Sequence, residues 1–246
     1  MPGVTTNIII TMAGNGDRFR KAGYTLPKFK IAVRGRTLFT WALLSLRHFL
    51  EAGAEVIFAA RPEHDPEAFL AREAAALGIG RRRVVLIPQA TDGQATTALI
   101  AGSALSDHAR PVAIYNIDTY VEPEFLPVAE ARGNGWIPCF AGDGNGWSFA
   151  RAAEDGTVEE LAEKRRISPH ATVGLYWFRS FELYRECYRE HFAGPTERPG
   201  TAPAERYIAP MYNTLISRYG GVHLTAIPKH AVHPLGTPSE VEAFQL

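Results

Sequence analysis

"IIITMAGNGDRFRKAGYTLPKFKIAV", residues 8–33, decides how the chain is to be read. A short apolar run breaks into small residues and glycines, then into a patch carrying Arg18, Arg20, Lys21, Lys28 and Lys30, and returns to apolar residues at Ile31. A brief β-branched run that ends in a glycine turn reads as a buried strand followed by bare backbone. In an open α/β sheet that is where phosphate binds, beyond the carboxyl end of a strand, on N–H groups that no side chain covers. The cations that follow suit the same ligand, so a phosphate-bearing molecule is the first expectation.

Two common phosphate loops can be tested against these residues. A dinucleotide fingerprint needs a third small residue where Phe19 stands and an acid about 20 positions on; the chain reads "RGRTLF" there, without a carboxylate. A Walker loop needs Gly-Lys-Ser/Thr opening a helix, whereas Gly16 is followed by Asp17-Arg18. Both readings fail. What remains is G-x-G-x-R-F, followed by Pro27-Lys28.

Outward from this stretch, apolar runs alternate with helix-period segments. Asn7–Thr11, Glu55–Ala60, Val84–Ile87 and Val112–Tyr115 are expected strands, and Leu38–Ala52, Pro66–Leu77 and Gln94–Leu105 expected helices, the first capped by Thr37. Such a βαβ series predicts a mostly parallel sheet covered on both faces. From Pro138 the texture changes. Aromatic, β-rich pieces such as "WIPCF" and "TVGLYWF", with turn signals "AGDGNG" and "EDG", predict a mixed or antiparallel extension. Helical patterns resume at Phe181–His191 and Glu205–Ser217, separated by the Pro- and Gly-rich loop "AGPTERPGTAP", residues 193–203. The economical reading is one α/β domain, residues 1–246, with a nucleotide-binding half (1–135) and a smaller mixed-strand, acceptor-binding half (136–246).

Composition narrows the partners. Of 246 residues 46% are hydrophobic and 21% charged, ordinary for a globular chain. Lys plus Arg and Asp plus Glu are both 26, so no global basic field points to nucleic acid. The two cysteines, Cys139 and Cys187, lie far apart without metal-type spacing, which fits a reducing compartment better than a disulfide. The N-terminus lacks a basic, signal-like start and no apolar segment approaches the ~20 residues of a membrane helix. A cytoplasmic location without membrane insertion is expected.

The G-x-G-x-R-F turn with Pro27-Lys28 resembles the sugar-phosphate nucleotidyltransferases, the nucleoside-diphosphate-sugar pyrophosphorylases of GT-A, Rossmann-like fold. The resemblance implies that the loop of Ala13, Gly14, Asn15 and Gly16 wraps a nucleotide. Arg18 would then grip the triphosphate, and Lys28 would stabilise the α-phosphate under attack. "YNIDTYV", residues 115–121, carries Asp118 where the family holds Mg²⁺. "TDGQATTAL", residues 91–99, is similar to the base-contacting segment, which assigns Gly93, Gln94 and Thr97 to the base. "LAEKRRIS", residues 161–168, is similar to the Glu-Lys pair that holds sugar hydroxyls and sugar phosphate, matching Glu163 and Lys164. "TVGLYWF" matches the strand lining the sugar pocket through Gly174 and Tyr176. Pieces spread over nearly the whole chain, among them "KAGYTLPK", "EKRRIS", "YIAPMYN" and "LGTPSEVEAF", further resemble nucleotidyltransferase-like proteins of bacterial capsular polysaccharide synthesis.

The reaction implied is an Mg²⁺-dependent transfer of EC 2.7.7 type. A nucleoside triphosphate and a phosphorylated sugar or polyol give an activated nucleotide derivative and pyrophosphate; a homo-oligomer is compatible with it. Bringing two polyanions together is a matter of positioning and charge neutralisation and needs no covalent nucleophile. Two other readings stand beside it. A GT-A glycosyltransferase would want a D-x-D pair, and "NID" supplies only its last acid. A non-catalytic nucleotide-binding relative would explain one departure from the family, which places a second metal-binding acid just before the C-terminal Gly-Thr. Here "VHPLGTP" offers His233 and no carboxylate, with Asp143 and Asp17 as substitutes elsewhere.

Overall fold

The computed structural model describes residues 5–194 and 205–245, so most of the loop expected at 193–203 lies outside the described residues. Strand β1 (Asn7–Thr11) leads through the glycine turn into α1 (Asp17–Lys21). A small ribbon of β2 (Ala32–Val33) and β3 (Arg36–Thr37) then turns the chain into α2 (Leu38–Ser45) and α3 (Arg47–Glu51). β4 (Val56–Ala60), α4 (Glu67–Ala76), β5 (Arg82–Leu86), α5 (Gln94–Gly102) and β6 (Val112–Asn116) complete the parallel half, in the order β6–β1–β4–β5. Thr11 lies opposite both Ala59 and Asn116, so the carboxyl ends of β1, β4 and β6 share one edge. Alternate residues of β1 enter opposite cores, Ile8 and Ile10 one and Ile9 the other. Burial on both faces is why this strand reads as an unbroken apolar run.

β7 (Thr119–Val121) follows directly, and then the mixed half expected from the second part of the sequence: β8 (Gly135–Ala141), β9 (Ser148–Ala152), β10 (Val158–Glu163), β11 (His170–Thr172) and β12 (Leu175–Phe178). β12 runs antiparallel to β6, with Tyr176 opposite Ile114, so one ten-stranded sheet passes through both halves. α6 (Phe181–His191), α7 (Met211–Tyr219), β13 (Val222–Ile227), β14 (Val232–Pro234) and α8 (Pro238–Ala243) close the chain. β14 pairs with β7, and a third apolar cluster of Phe19, Trp41, Leu235 and Phe244 packs α8 against α1 and α2. That contact brings the C-terminal segment beside the glycine turn.

Two local expectations change. The helix expected over 38–52 is two helices meeting at Leu46; its start is as read, with Thr37 Oγ1 accepting from the Thr40 N–H at 3.1 Å. The helix expected from Glu205 begins only at Met211. Arg206 N–H donates to the Asp92 carbonyl (2.7 Å) and its carbonyl accepts from Ala95 N–H (3.0 Å), which ties that backbone to the start of α5 instead. Both cysteines are free and buried, and among the described residues no helix is long and apolar enough to cross a membrane.

Candidate functional site

Two cavities, of about 730 Å³ and 570 Å³, open side by side along the shared strand edge. The larger is walled by Gly14, Asn15 and Gly16 with Arg18 and Lys28. The smaller is walled by Ser148, Glu163, Lys164, Gly174, Tyr176 and Tyr207 from the mixed half. Arg18, Asn116, Asp118, Glu205 and Gly236 line both, and so form the junction. Ala13 is buried beneath the loop, in the same cluster as Ile9.

Gly16 opens α1 with φ +67°, a left-handed backbone that glycine adopts without strain. Eleven residues later Pro27 precedes a single 3₁₀ turn, Lys28–Lys30, that points Lys28 inward. Its ammonium donates to Asp118 Oδ2 at 2.7 Å and stands 5.6 Å from the centre of the Phe19 ring. Asp118 lies between β6 and β7 and its carboxylate faces this amine, so it serves as an ionic partner rather than a helix cap. The structure thus places Arg18, Lys28 and Asp118 together, 90 residues apart in the case of the ion pair.

The expected base-contacting segment divides. Gln94 lines the smaller cavity and its Nε2 donates to Thr11 Oγ1 at 3.0 Å. Thr97 is buried and bonded to Thr91 Oγ1 (2.6 Å) and the Gly93 carbonyl (3.2 Å). Gly93, at φ +148°, is covered by the Arg206 backbone, where a Cβ would come within 2.6 Å of Arg206 N. Gly93 and Thr97 therefore shape the turn from within; of the three only Gln94 lines a cavity, the smaller one, and none lines the larger.

In the smaller cavity a hydroxyl chain runs from Thr172 through Tyr176 (3.0 Å) to Ser148 (3.2 Å), which donates to Glu163 Oε2. Burial pushes the Glu163 carboxyl above its ordinary value, partly opposed by the Ser148 hydrogen bond and by Lys164. Lys164 sits at φ +50° and its ammonium donates to Tyr207 Oη at 2.5 Å; that bond raises its affinity for the proton. Tyr207 Oη in turn donates to Glu205.

A stability test follows from Glu163. Because the folded carboxyl titrates above 4.5, the folded protein keeps a proton that the unfolded chain has already lost, and stability falls as pH rises through that window. Glu163→Gln, neutral throughout, escapes this loss while keeping an acceptor for Ser148. Its melting temperature relative to the wild type should rise between pH 4 and pH 7; a difference independent of pH would contradict the assignment.

Several junction residues carry no signal in the sequence. Arg206 pairs through Nε with Asp92 (2.9 Å), donates to Tyr188 Oη (2.6 Å) and stacks 4.9 Å from Phe192. It thereby holds Glu205 and Tyr207 over the cavities. His233, Asp17 and Asp143, the side chains expected to add a metal ligand, each have another partner. His233 is stacked on Tyr120 and against Phe244, each at 5.4 Å, and lies 3.5 Å from Glu122. Asp17 is paired with Arg20 (2.6 Å) and Asp143 with Lys229 (2.5 Å). Glu240 approaches instead. A Cβ placed on Gly236 would lie 3.4 Å from both Asp118 Oδ2 and Glu240 Oε2. Leu235 N–H, donating to the Asp118 carbonyl at 2.7 Å, locks that glycine in position. Carboxylate oxygens are the ligand type a small divalent cation such as Mg²⁺ takes, and among the described residues Asp118 and Glu240 supply two of them here without a third acidic, histidine or cysteine side chain joining the group.

No protein-family model matches the chain, and no curated protein matches it. Solved structures do. A nucleoside-diphosphate-sugar pyrophosphorylase from Vibrio cholerae RC9 is 34% identical over 96% of this chain and 98% of its own, with a TM-score of 0.87. Two more distant structures share the fold. A Bacillus anthracis protein described as a glucose-1-phosphate thymidylyltransferase is 15% identical, covering 97% of this chain and 93% of its own with a TM-score of 0.76. The inositol-1-phosphate CTP transferase of T. maritima is 13% identical, covering 97% and 92% with a TM-score of 0.75. With 34% identity and a shared fold over nearly the full length of the Vibrio cholerae protein, the chain belongs to the sugar-phosphate nucleotidyltransferases.

Proposed function

We propose that this protein joins a nucleoside triphosphate to a phosphorylated sugar or polyol and releases pyrophosphate. The carrying observation is the junction itself: Arg18 and Asp118 belong to both cavities, and Lys28 is bonded to Asp118 where the two open into each other. Residues 1–135 hold the nucleotide in the larger cavity, its phosphates on the amides of Gly14, Asn15 and Gly16 and on Arg18. Residues 136–246 hold the acceptor, with Glu163 and Tyr176 toward hydroxyls and Lys164 toward its phosphate. In-line attack by the acceptor phosphate oxygen on the α-phosphorus adds charge to the equatorial oxygens, and Lys28 is placed to offset it. Arg18 steadies the departing pyrophosphate.

Asp118 and Glu240 would hold Mg²⁺, which when bound neutralises phosphate charge. Charge on Asp118 is shared, in this reading, between the metal and Lys28. The resemblance of "EKRRIS" and "YIAPMYN" to segments of capsular polysaccharide synthesis proteins supports a role in surface polysaccharide assembly, with the reaction in the cytoplasm, where nucleoside triphosphates are made. A pyrophosphate-release screen of the common nucleoside triphosphates against sugar 1-phosphates and polyol phosphates, with and without Mg²⁺, tests the reaction. Release with one defined pair and only with the metal is expected; no release from any pair would refute it.

A further inference from the structure

Lys164 follows β10 with a side chain that is half exposed, and an ammonium on so flexible a stem has no place of its own. Its surroundings supply one. The backbone N–H donates to the Trp147 carbonyl at 3.0 Å, and the ammonium, besides donating to Tyr207 Oη at 2.5 Å, stands 4.5 Å from the centre of the Tyr207 ring. Its other near anion, Glu163, is 3.8 Å away and accepts from Ser148. An ammonium carries no lone pair, so the phenol can only accept from it and must point its own proton elsewhere. It points to Glu205. Burial and the bond to Glu205 both keep the phenol protonated. The carboxylate thus decides which way the phenol faces, and the phenol decides where the ammonium stands. Arg206, between them in sequence, lines neither cavity. Its backbone is tied to Asp92 and Ala95 and its guanidinium to Asp92 and Tyr188, which anchors the three residues on the start of α5.

We propose that Tyr207, oriented by Glu205, is a positioning residue that sets the Lys164 ammonium for the phosphate of the acceptor before the acceptor arrives. This rests on the role given to Lys164 above. One N–H of the ammonium goes to the phenol, and the other two are left for phosphate oxygens. A cation already in place loses little freedom when the phosphate binds, and the gain in affinity lies there. The Tyr207 bond also raises the affinity of Lys164 for its proton, so the charge persists to higher pH; the other groups bearing on it are Glu163 at the end of β10 and Glu205.

Side-chain NMR of the full chain tests this without nucleotide or sugar. Lys164 is one of five lysines, with Lys21, Lys28, Lys30 and Lys229, and its signal is identified by its loss in Lys164→Arg. Inorganic phosphate is the probe, and in the wild type it is expected to shift the Lys164 signal saturably. Tyr207→Phe, which keeps the ring beside the ammonium, should weaken that affinity about tenfold, the worth of one hydrogen bond to a charged group. It should leave the phosphate affinity read at Lys28 unchanged and move the titration of Lys164 to lower pH. Glu205→Gln, whose amide oxygen still accepts from the phenol, should keep the affinity at Lys164 within a few-fold of the wild type. A wild type in which phosphate leaves the Lys164 signal unmoved overturns the proposal, as does a Tyr207→Phe with native affinity and titration. So do equal losses at Lys28 and Lys164, which would mean a site disturbed as a whole, and a Glu205→Gln as weak as Tyr207→Phe. Pyrophosphate release is read separately: a Tyr207 effect without release from any substrate pair would sink the proposed reaction and leave the positioning role standing, and release with Lys164 unaffected would do the reverse.

Discussion

Lys28→Ala is expected to lower the turnover of pyrophosphate release by ~10²–10³, with nucleotide affinity changed only a few-fold. In the ground state the Lys28 ammonium is held by Asp118 at 2.7 Å, and its side chain is only 17% exposed. It is oriented before substrate arrives, so little reorganisation is needed when charge develops at the α-phosphate. An interaction that strengthens only in the transition state appears in kcat rather than in binding. Loss of nucleotide affinity matching the loss of turnover would mean that Lys28 merely attracts the triphosphate. Near-native turnover would show that the nucleotidyl-transfer mechanism is wrong even with the fold unchanged.

Asp118→Asn and Glu240→Gln should both weaken divalent-cation binding about tenfold or more, read as Mn²⁺ affinity by electron paramagnetic resonance in the presence of nucleotide, because each removes one charged oxygen facing the Gly236 gap. Their turnover should recover in part at raised Mg²⁺, whereas that of Lys28→Ala should not. Glutamine at position 240 keeps the helical role of the residue, whose N–H bonds the Thr237 cap at 3.3 Å, so a lost cation cannot be ascribed to a lost helix start. Native Mn²⁺ affinity in Glu240→Gln together with a defect in Asp118→Asn would leave Asp118 as the sole carboxylate ligand. Gly236→Ala offers a check from the other side: the added methyl occupies the gap and should weaken Mn²⁺ without altering any charge.

Much of the fold around the candidate site was legible in the sequence, and the reason is local. A strand buried on both faces must be apolar throughout, a turn that leaves its amides open must be bare, and a helix start wants a hydroxyl. Ile8–Ile10, Gly14–Gly16 and Thr37 therefore declare themselves within a few residues. The antiparallel texture after Pro138 was readable for the same reason, since turns and aromatic strands are short-range signals.

What only the tertiary structure decided depends on contacts between segments far apart in the chain. Arg206 covers Gly93, Gly174 makes room for Asn116, and the β7–β14 pairing places His233 against Tyr120 while Gly236 lies against both Asp118 and Glu240. In each case the residue type alone has an ordinary reading: a surface arginine, a strand-end amide, a helix-capping glutamate, a histidine near a metal motif. Sequence patterns record which face of an element is buried, with a period of two or 3.6 residues. They do not record which other element will lie against that face, and the chemistry of a junction between two cavities is set by that second fact.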